Sequence, residues 1–169
     1  MAFIPDIPSS PTLHCRTHFE TFTTALARWK DRTGLFGGDE PVFPPSEEFG
    51  YDCTPRNAVT FAQMGVDGVH YAVLKLAGMV RNQSPVVRIS PMDDPAVCVL
   101  AESFLAYLAE GCGMSRSAME TVMEREREGK GGLLEVICAQ FDGGQLMIEQ
   151  RIDHLTKKYG HLIEPKGER

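Results

Sequence analysis

The sequence predicts an α+β fold: an N-terminal helix, a small central antiparallel sheet of three to five strands, and several C-terminal helices packed on it. Three observations support this prediction. Residues 57–91 have the pattern of consecutive short strands joined by tight turns. Apolar residues in the flanking segments recur at the spacing of amphipathic helices. Helix and strand patterns do not alternate along the chain, as they would for a parallel sheet.

The Asp67-Gly68 pair predicts a hairpin at the centre of this sheet. It lies between two half-apolar runs, residues 59–61 and 69–74. Two-residue hairpin turns need positive φ values, which the Asp-Gly pair supplies. A further strand is predicted at residues 85–87, and the sequence PMDDP at 91–95 predicts the next turn.

The N-terminal helix is expected to follow an extended or poorly ordered lead-in, because residues 1–12 contain three prolines and two serines. Thr12 or Thr17 is the predicted cap, and the helix should run to about Thr33. Its buried face is predicted from side chains at three- and four-residue spacing: Phe19, Phe22, Leu26 and Trp29.

Residues 36–55 are predicted to be a long loop, because they hold four prolines among acidic residues. Phe43, Phe49 and Tyr51 would anchor this loop on the core. A sheet of a few strands that does not close leaves an edge unpaired, and residues 41–55 are placed to cover it. The protein is therefore expected to be a monomer or a weak dimer.

Several helices are predicted after the sheet. One spans residues 97–111, one begins at a capping box formed by Ser117 and Glu120, and one spans 133–141. A final helix spans residues 145–159. The side chains predicted to be buried in the first and last of these helices are Leu100, Phe104, Tyr107, Leu108, Ile148, Ile152, Leu155 and Tyr159.

Composition limits the classes of function. At 169 residues and 43% hydrophobic, the chain is long enough for one core, so a single domain over residues 1–169 is expected. The net charge of −6 argues against a general nucleic-acid binder. No signal peptide or membrane segment is predicted, and five scattered cysteines without a C-x-x-C pair indicate reduced thiols, so a cytoplasmic protein is expected.

Candidate catalytic residues are few. Asp67 and His70 are close enough across the turn for acid–base chemistry or metal binding, although turn chemistry alone accounts for Asp67. His14, Cys15 and His18 have the ligand types of a metal site, but no third ligand is evident, and a partly exposed helical turn is the favoured interpretation. No metal is therefore expected, and because the sequence has no phosphate-loop motif, no cofactor is expected either.

Residues 59–74, VTFAQMGVDGVHYAVL, resemble the SMI1/KNR4-like (SUKH) superfamily. The likeness lies in a strand ending in an [IV]-x-[FI]-A run, a glycine-bearing turn and a second strand with aromatic and leucine positions. The family's helix start, Leu-Pro-x-x-[Tyr/Phe], is only echoed at residues 43–49, and its Asn-Gly-Gly is missing. The run F-A-x-x-G-x-D-G-V-H also resembles a family of uncharacterised bacterial proteins with no known activity.

The resemblance implies a non-enzymatic protein-binding domain, such as a bacterial immunity protein that neutralises a toxin by direct contact. The acidic balance favours a basic protein partner, with no nucleic acid and no membrane involved. The expected binding residues are Glu47, Glu48, Asp67, His70 and Tyr71. The alternatives are a small hydrolase-like enzyme with a pocket beside the turn at residues 67–70, or a protein with a structural role.

Overall fold

A computed structural model describes residues 16–27, 40–109 and 148–167. The elements within these ranges are α1 (His18–Leu26), β1 (Glu40–Ser46), β2 (Ala58–Gln63), β3 (His70–Leu74), β4 (Val86–Ile89), β5 (Val97–Ala101), α2 (Phe104–Ala109), α3 (Ile148–Tyr159) and a 3-10 turn (Gly160–Leu162). The strands form one antiparallel sheet in the order β1-β2-β3-β4-β5. The α+β class is confirmed. Among the described helices, none is long and apolar enough to cross a membrane.

Some predictions lie outside the described residues. These are the lead-in at 1–12, the end of the first helix near Thr33, the helix beginning at Ser117, the helix at 133–141, and the predicted side chains Trp29, His14, Cys15, Leu26, Leu108 and Ile148.

The start of α1 confirms Thr17 as a helix cap. The Glu20 N–H donates to Thr17 Oγ1 at 3.1 Å, and the Thr17 N–H donates to Glu20 Oε2 at 3.0 Å. This reciprocal pair is a capping box, which satisfies donors that the first turn of a helix leaves unpaired. Phe19 and Phe22 are buried as predicted.

Two predictions of local structure are wrong, and pairing within the sheet explains both. Glu40–Ser46 is an edge strand beside β2, where the sequence predicted a loop. An edge strand tolerates proline because its outward amides need no partner. Val97–Ala101 is a strand beside β4, where a helix was predicted. Its β-branched residues fit a strand, and the helical pattern begins only at Phe104.

Helices cover both faces of the sheet in the described structure. Val73 of β3 points towards α1 and α2, while Ala72 and Leu74 point towards α3. A β-bulge in β2 changes the register between Thr60 and Ala62, so that neighbouring residues there share the α1/α2 face. Both faces of the sheet are therefore packed against helices in this part of the chain.

Candidate functional site at the His70 turn

The β2–β3 connection is the tight turn that the sequence predicts. Asp67 has φ of 55° and Gly68 has φ of 69°. The Val69 N–H donates to the Val66 carbonyl at 3.4 Å, and the Met64 N–H donates to the Val69 carbonyl at 2.9 Å. Positive φ at both central residues matches the strand twist of a hairpin, so Asp67 is accounted for by turn geometry.

Gly68 is required for a second reason, which is the close approach of Tyr51. A Cβ placed on Gly68 would lie 2.7 Å from the Tyr51 ring. Real Cβ atoms do not approach an aromatic ring so closely, so any larger residue would displace Tyr51. The turn and the loop that follows β1 are therefore fitted to each other.

His70 lies beneath this loop and is fully buried. Its Nδ1 is 2.7 Å from the Gly68 carbonyl, and its Nε2 is 2.9 Å from Thr54 Oγ1. A carbonyl only accepts, so Nδ1 carries the proton and donates to Gly68, while the Thr54 hydroxyl donates to Nε2. Both ring nitrogens are satisfied by neutral imidazole.

Two aromatic rings cover the imidazole. The Phe49 ring centroid lies 4.6 Å from that of His70, and the Tyr51 ring stacks on it at 5.4 Å and 25°. Lys166, from the segment after α3, donates to the Tyr51 carbonyl at 2.9 Å. Phe49 and Tyr51 therefore contact the core, as the sequence predicted.

Burial lowers the pKa of His70 below its ordinary value of 6.5, because the charged imidazolium loses solvation there. The Gly68 carbonyl opposes this shift by accepting from Nδ1, and the positive charge of Lys166 adds to the lowering. The His70 pKa therefore favours the neutral ring that the hydrogen bonds require.

Asn57 holds residues 162–164 beside this loop. Its carboxamide nitrogen donates to the Lys75 carbonyl at 3.1 Å and the Leu162 carbonyl at 2.9 Å. Its carbonyl oxygen accepts from the Glu164 N–H at 3.0 Å. The bonds to Leu162 and Glu164 fix the segment that carries Lys166, and the bond to Lys75 ties Asn57 to the end of β3.

The predicted binding residues do not converge on one site. Tyr71 follows His70 in β3 and points to the opposite face of the sheet, against the α1/α2 core. Asp67 is exposed at the tip of the turn. Glu47 makes an ion pair with Lys75, with Oε2 and Nζ 2.8 Å apart, and Glu48 is exposed.

Thr54 is the residue that the sequence analysis missed. No motif marks it, because its contact with His70 depends on how residues 47–57 fold over the sheet. A hydroxyl bonded to an imidazole, which is in turn held by an acceptor, is an arrangement that can activate a nucleophile. Here Thr54 is 2% exposed and His70 is 0% exposed, so a substrate would reach them only if Tyr51 and Phe49 moved away.

Metal ligands do not cluster in the described part of the chain, where no group of three or more His, Cys, Asp or Glu residues could hold an ion. Cys53 and Cys98 are free thiols. Burial raises the pKa of Cys53, so less of this thiol is ionised to the thiolate at neutral pH.

Register places three segments at one end of the sheet: the start of β1, the β2–β3 turn and the β4–β5 turn. Glu40 pairs with Gln63 at the start of β1. His70 pairs with Ile89 at the end of β4. Side chains from these three segments therefore share one surface of the molecule.

This surface combines exposed apolar groups with carboxylates. Met64, Val66 and Met92 are 49%, 60% and 83% exposed, and they are three of the six exposed large apolar side chains in the described structure. Arg88 Nη2 lies 3.9 Å from Asp93 Oδ2. We call this region the hairpin-end surface and define it by seven residues: Glu40, Met64, Val66, Asp67, Met92, Asp93 and Asp94.

Comparison with known proteins gives little further information. No family model matches the chain, and no solved structure matches it. The chain is 24% identical over 129 residues to the ATP synthase gamma chain of Arthrobacter sp. (strain FB24), which covers 73% of this chain and 43% of that protein. The chain thus spans less than half the length of this curated relative, at an identity too low to assign the two to one family.

Proposed function

We propose that this chain is a non-enzymatic protein-binding domain whose partner is a basic protein. The hairpin-end surface is the observation that carries the proposal. Exposed apolar side chains supply contact area, and large exposed apolar groups brought together on one surface are characteristic of protein interaction sites. The four carboxylates around them, of which Asp93 is paired with Arg88, leave a net negative charge that favours a positively charged partner and would steer its approach.

The burial of the His70 site also supports a non-enzymatic role. His70 and Thr54 are buried and bonded to each other, and the imidazole is covered by two rings. These contacts account for both residues as parts of the core. Their role in this proposal is to hold the β2–β3 turn in place, so that Asp67 and Val66 project from a rigid base.

The biological role we propose is that of a bacterial immunity protein that binds a toxin directly. The support is the resemblance of residues 59–74 to the SUKH superfamily, and these residues form β2, the turn and β3. The similarity to an ATP synthase gamma chain, at 24% identity, adds no argument about function.

The proposal is tested with the purified products of the genes that neighbour the gene for this chain. We expect one of them to be a basic protein that binds the chain in calorimetric titration. Asp67→Lys should weaken this binding at least about tenfold, because charge reversal within an interface opposes association.

Glu48→Lys is the charge control, since it makes the same charge change outside the seven residues that define the hairpin-end surface, and thermal unfolding of both variants checks that the lysine at the positive φ of Asp67 leaves the fold intact. Equal weakening by both variants would show that only net charge matters. Full affinity in Asp67→Lys would move the interface elsewhere, for example to the predicted residues Glu47 and Glu48. Absence of binding by any neighbouring product would oppose the proposed immunity role.

A small hydrolase-like enzyme is the alternative function, and the Thr54–His70 hydrogen bond is the observation that favours it. In that case Thr54 would be the nucleophile and His70 its base. Screening against ester, amide and phosphoester substrates should then show activity that Thr54→Val and His70→Ala both abolish. Equal background rates in all three proteins would eliminate this function.

A further inference from the structure

The two edges of the sheet differ in their capacity to pair with another strand. The edge strand β1 contains Pro41, Pro44 and Pro45, which have no amide hydrogens to donate. Prolines on an edge strand prevent the addition of a further strand. The β1 edge is therefore closed by its own sequence.

The outer edge of β5 has no such protection in its sequence. Val97–Ala101, VCVLA, contains no proline and no charged residue. A short, uncharged, β-branched edge strand is a template for pairing with another chain. Something other than its sequence must keep it unpaired.

Helix α3 closes this edge. The Val99 N–H is directed away from β4 and donates to Thr156 Oγ1 of α3 at 2.9 Å. Leu155 is buried against the α3 face of the sheet in the same cluster as Val99. Beyond the end of β5, the Tyr159 hydroxyl donates to Glu102 Oε2 at 3.1 Å.

We propose that the outer edge of β5 is a self-pairing surface, complementary to β5 of a second copy of this chain, and that α3 keeps it closed. Antiparallel pairing of β5 with itself about a two-fold axis places uncharged residues opposite uncharged residues, so no charge repulsion opposes it. Because the β1 edge is blocked, the pairing closes at two copies and cannot continue into a fibre.

The test is the Thr156→Val variant, which preserves the shape of the side chain and removes the acceptor for the Val99 amide. Hydrogen exchange followed by NMR should show the Val99 amide exchanging about fivefold faster in dilute solution, the loss expected for one hydrogen bond. Light scattering from micromolar to millimolar protein should show the mass rising towards that of a dimer. Thr23→Val, the same change in α1, should leave both readouts at the values of the intact protein.

A second pair of variants separates edge pairing from loss of packing. Adding Leu155→Ala to Thr156→Val should loosen α3 further and shift dimerisation to lower concentration. Adding Cys98→Glu to that protein puts a charge on β5 and should restore the monomer, because edge charges oppose pairing.

Three results would overturn the proposal. The first is a Thr156→Val protein that stays monomeric at every concentration while its Val99 amide exchanges freely. The second is self-association that persists after Cys98→Glu. The third is an intact protein that is already a stable dimer and whose mass and Val99 exchange do not respond to Thr156→Val.

Discussion

The two faces of the sheet are stabilised by different physical means. On the α1/α2 face, Phe104 lies among the rings of Phe19, Phe22, Phe61 and Tyr107, with centroid distances from 5.0 to 6.2 Å. On the α3 face, the imidazole of His70 is buried next to the loop that covers it. The first face depends on apolar area and shape, whereas the second combines an apolar cluster under α3 with buried polar groups that need hydrogen-bond partners.

The largest effect should come from the aromatic face. Phe104→Ala removes the ring that the other four contact, and we expect it to lower the free energy of unfolding by about 3–5 kcal/mol. Urea unfolding monitored by far-ultraviolet circular dichroism measures this change. Leu105→Ala, at a half-buried position in the same helix, should cost clearly less. Equal losses would mean that the aromatic cluster is not the centre of the core.

The Tyr51 contact on the second face can be isolated with two glycine variants. Gly68 and Gly78 both have positive φ, so an alanine at either position should cost about 1–2 kcal/mol of backbone strain. Only at Gly68 would the added Cβ meet Tyr51, whereas it meets nothing within 4 Å at Gly78. Gly68→Ala should therefore cost about 1 kcal/mol more, the value of a ring contact. Identical losses in thermal unfolding would show that Tyr51 adjusts freely.

Protonation tests whether His70 is buried as a neutral ring. Its folded-state pKa is lowered from 6.5, so the unfolded chain takes up a proton first as the pH falls. The contribution of His70 to stability is thus complete above pH 6.5 and declines below it, by at most about 1.4 kcal/mol per pH unit.

This pH dependence is measured by urea unfolding at several pH values from about 5 to about 8, the range in which histidine titrates. His70→Gln should remove it, while His154→Gln, at an exposed position on α3, should retain it. A dependence that survives in His70→Gln would assign the titration to another group.

The last prediction contrasts two buried threonines. Within the described structure, Thr60 Oγ1 is buried without a hydrogen-bond partner, whereas Thr54 Oγ1 bonds His70. Thr60→Val should raise the free energy of unfolding by about 1 kcal/mol, because it removes an unsatisfied hydroxyl. Thr54→Val, the same change, should lower it by about 1–3 kcal/mol, because His70 Nε2 loses its donor. Chemical denaturation of both variants would contradict this account if the two shifts had the same sign.

Features that depend on neighbouring residues were predictable from the sequence. The Asp67-Gly68 turn follows from the φ values these residues adopt, and the Thr17 cap follows from the spacing of Thr17 and Glu20. The burial of Phe22 and Phe104 was also predictable, because apolar spacing marks the inner face of each helix.

Features that depend on distant partners follow only from the folded structure. Val97–Ala101 has an apolar run that suits a helix or a strand, and pairing with β4 selected the strand. Glu40–Ser46 became a strand because β2 offered an open edge beside it. His70 and Tyr71, both expected to bind a partner, point to opposite faces because successive residues of a strand alternate. Thr54 meets His70 across 16 positions of sequence, a contact that local pattern does not encode because it exists only once the loop has packed on the sheet.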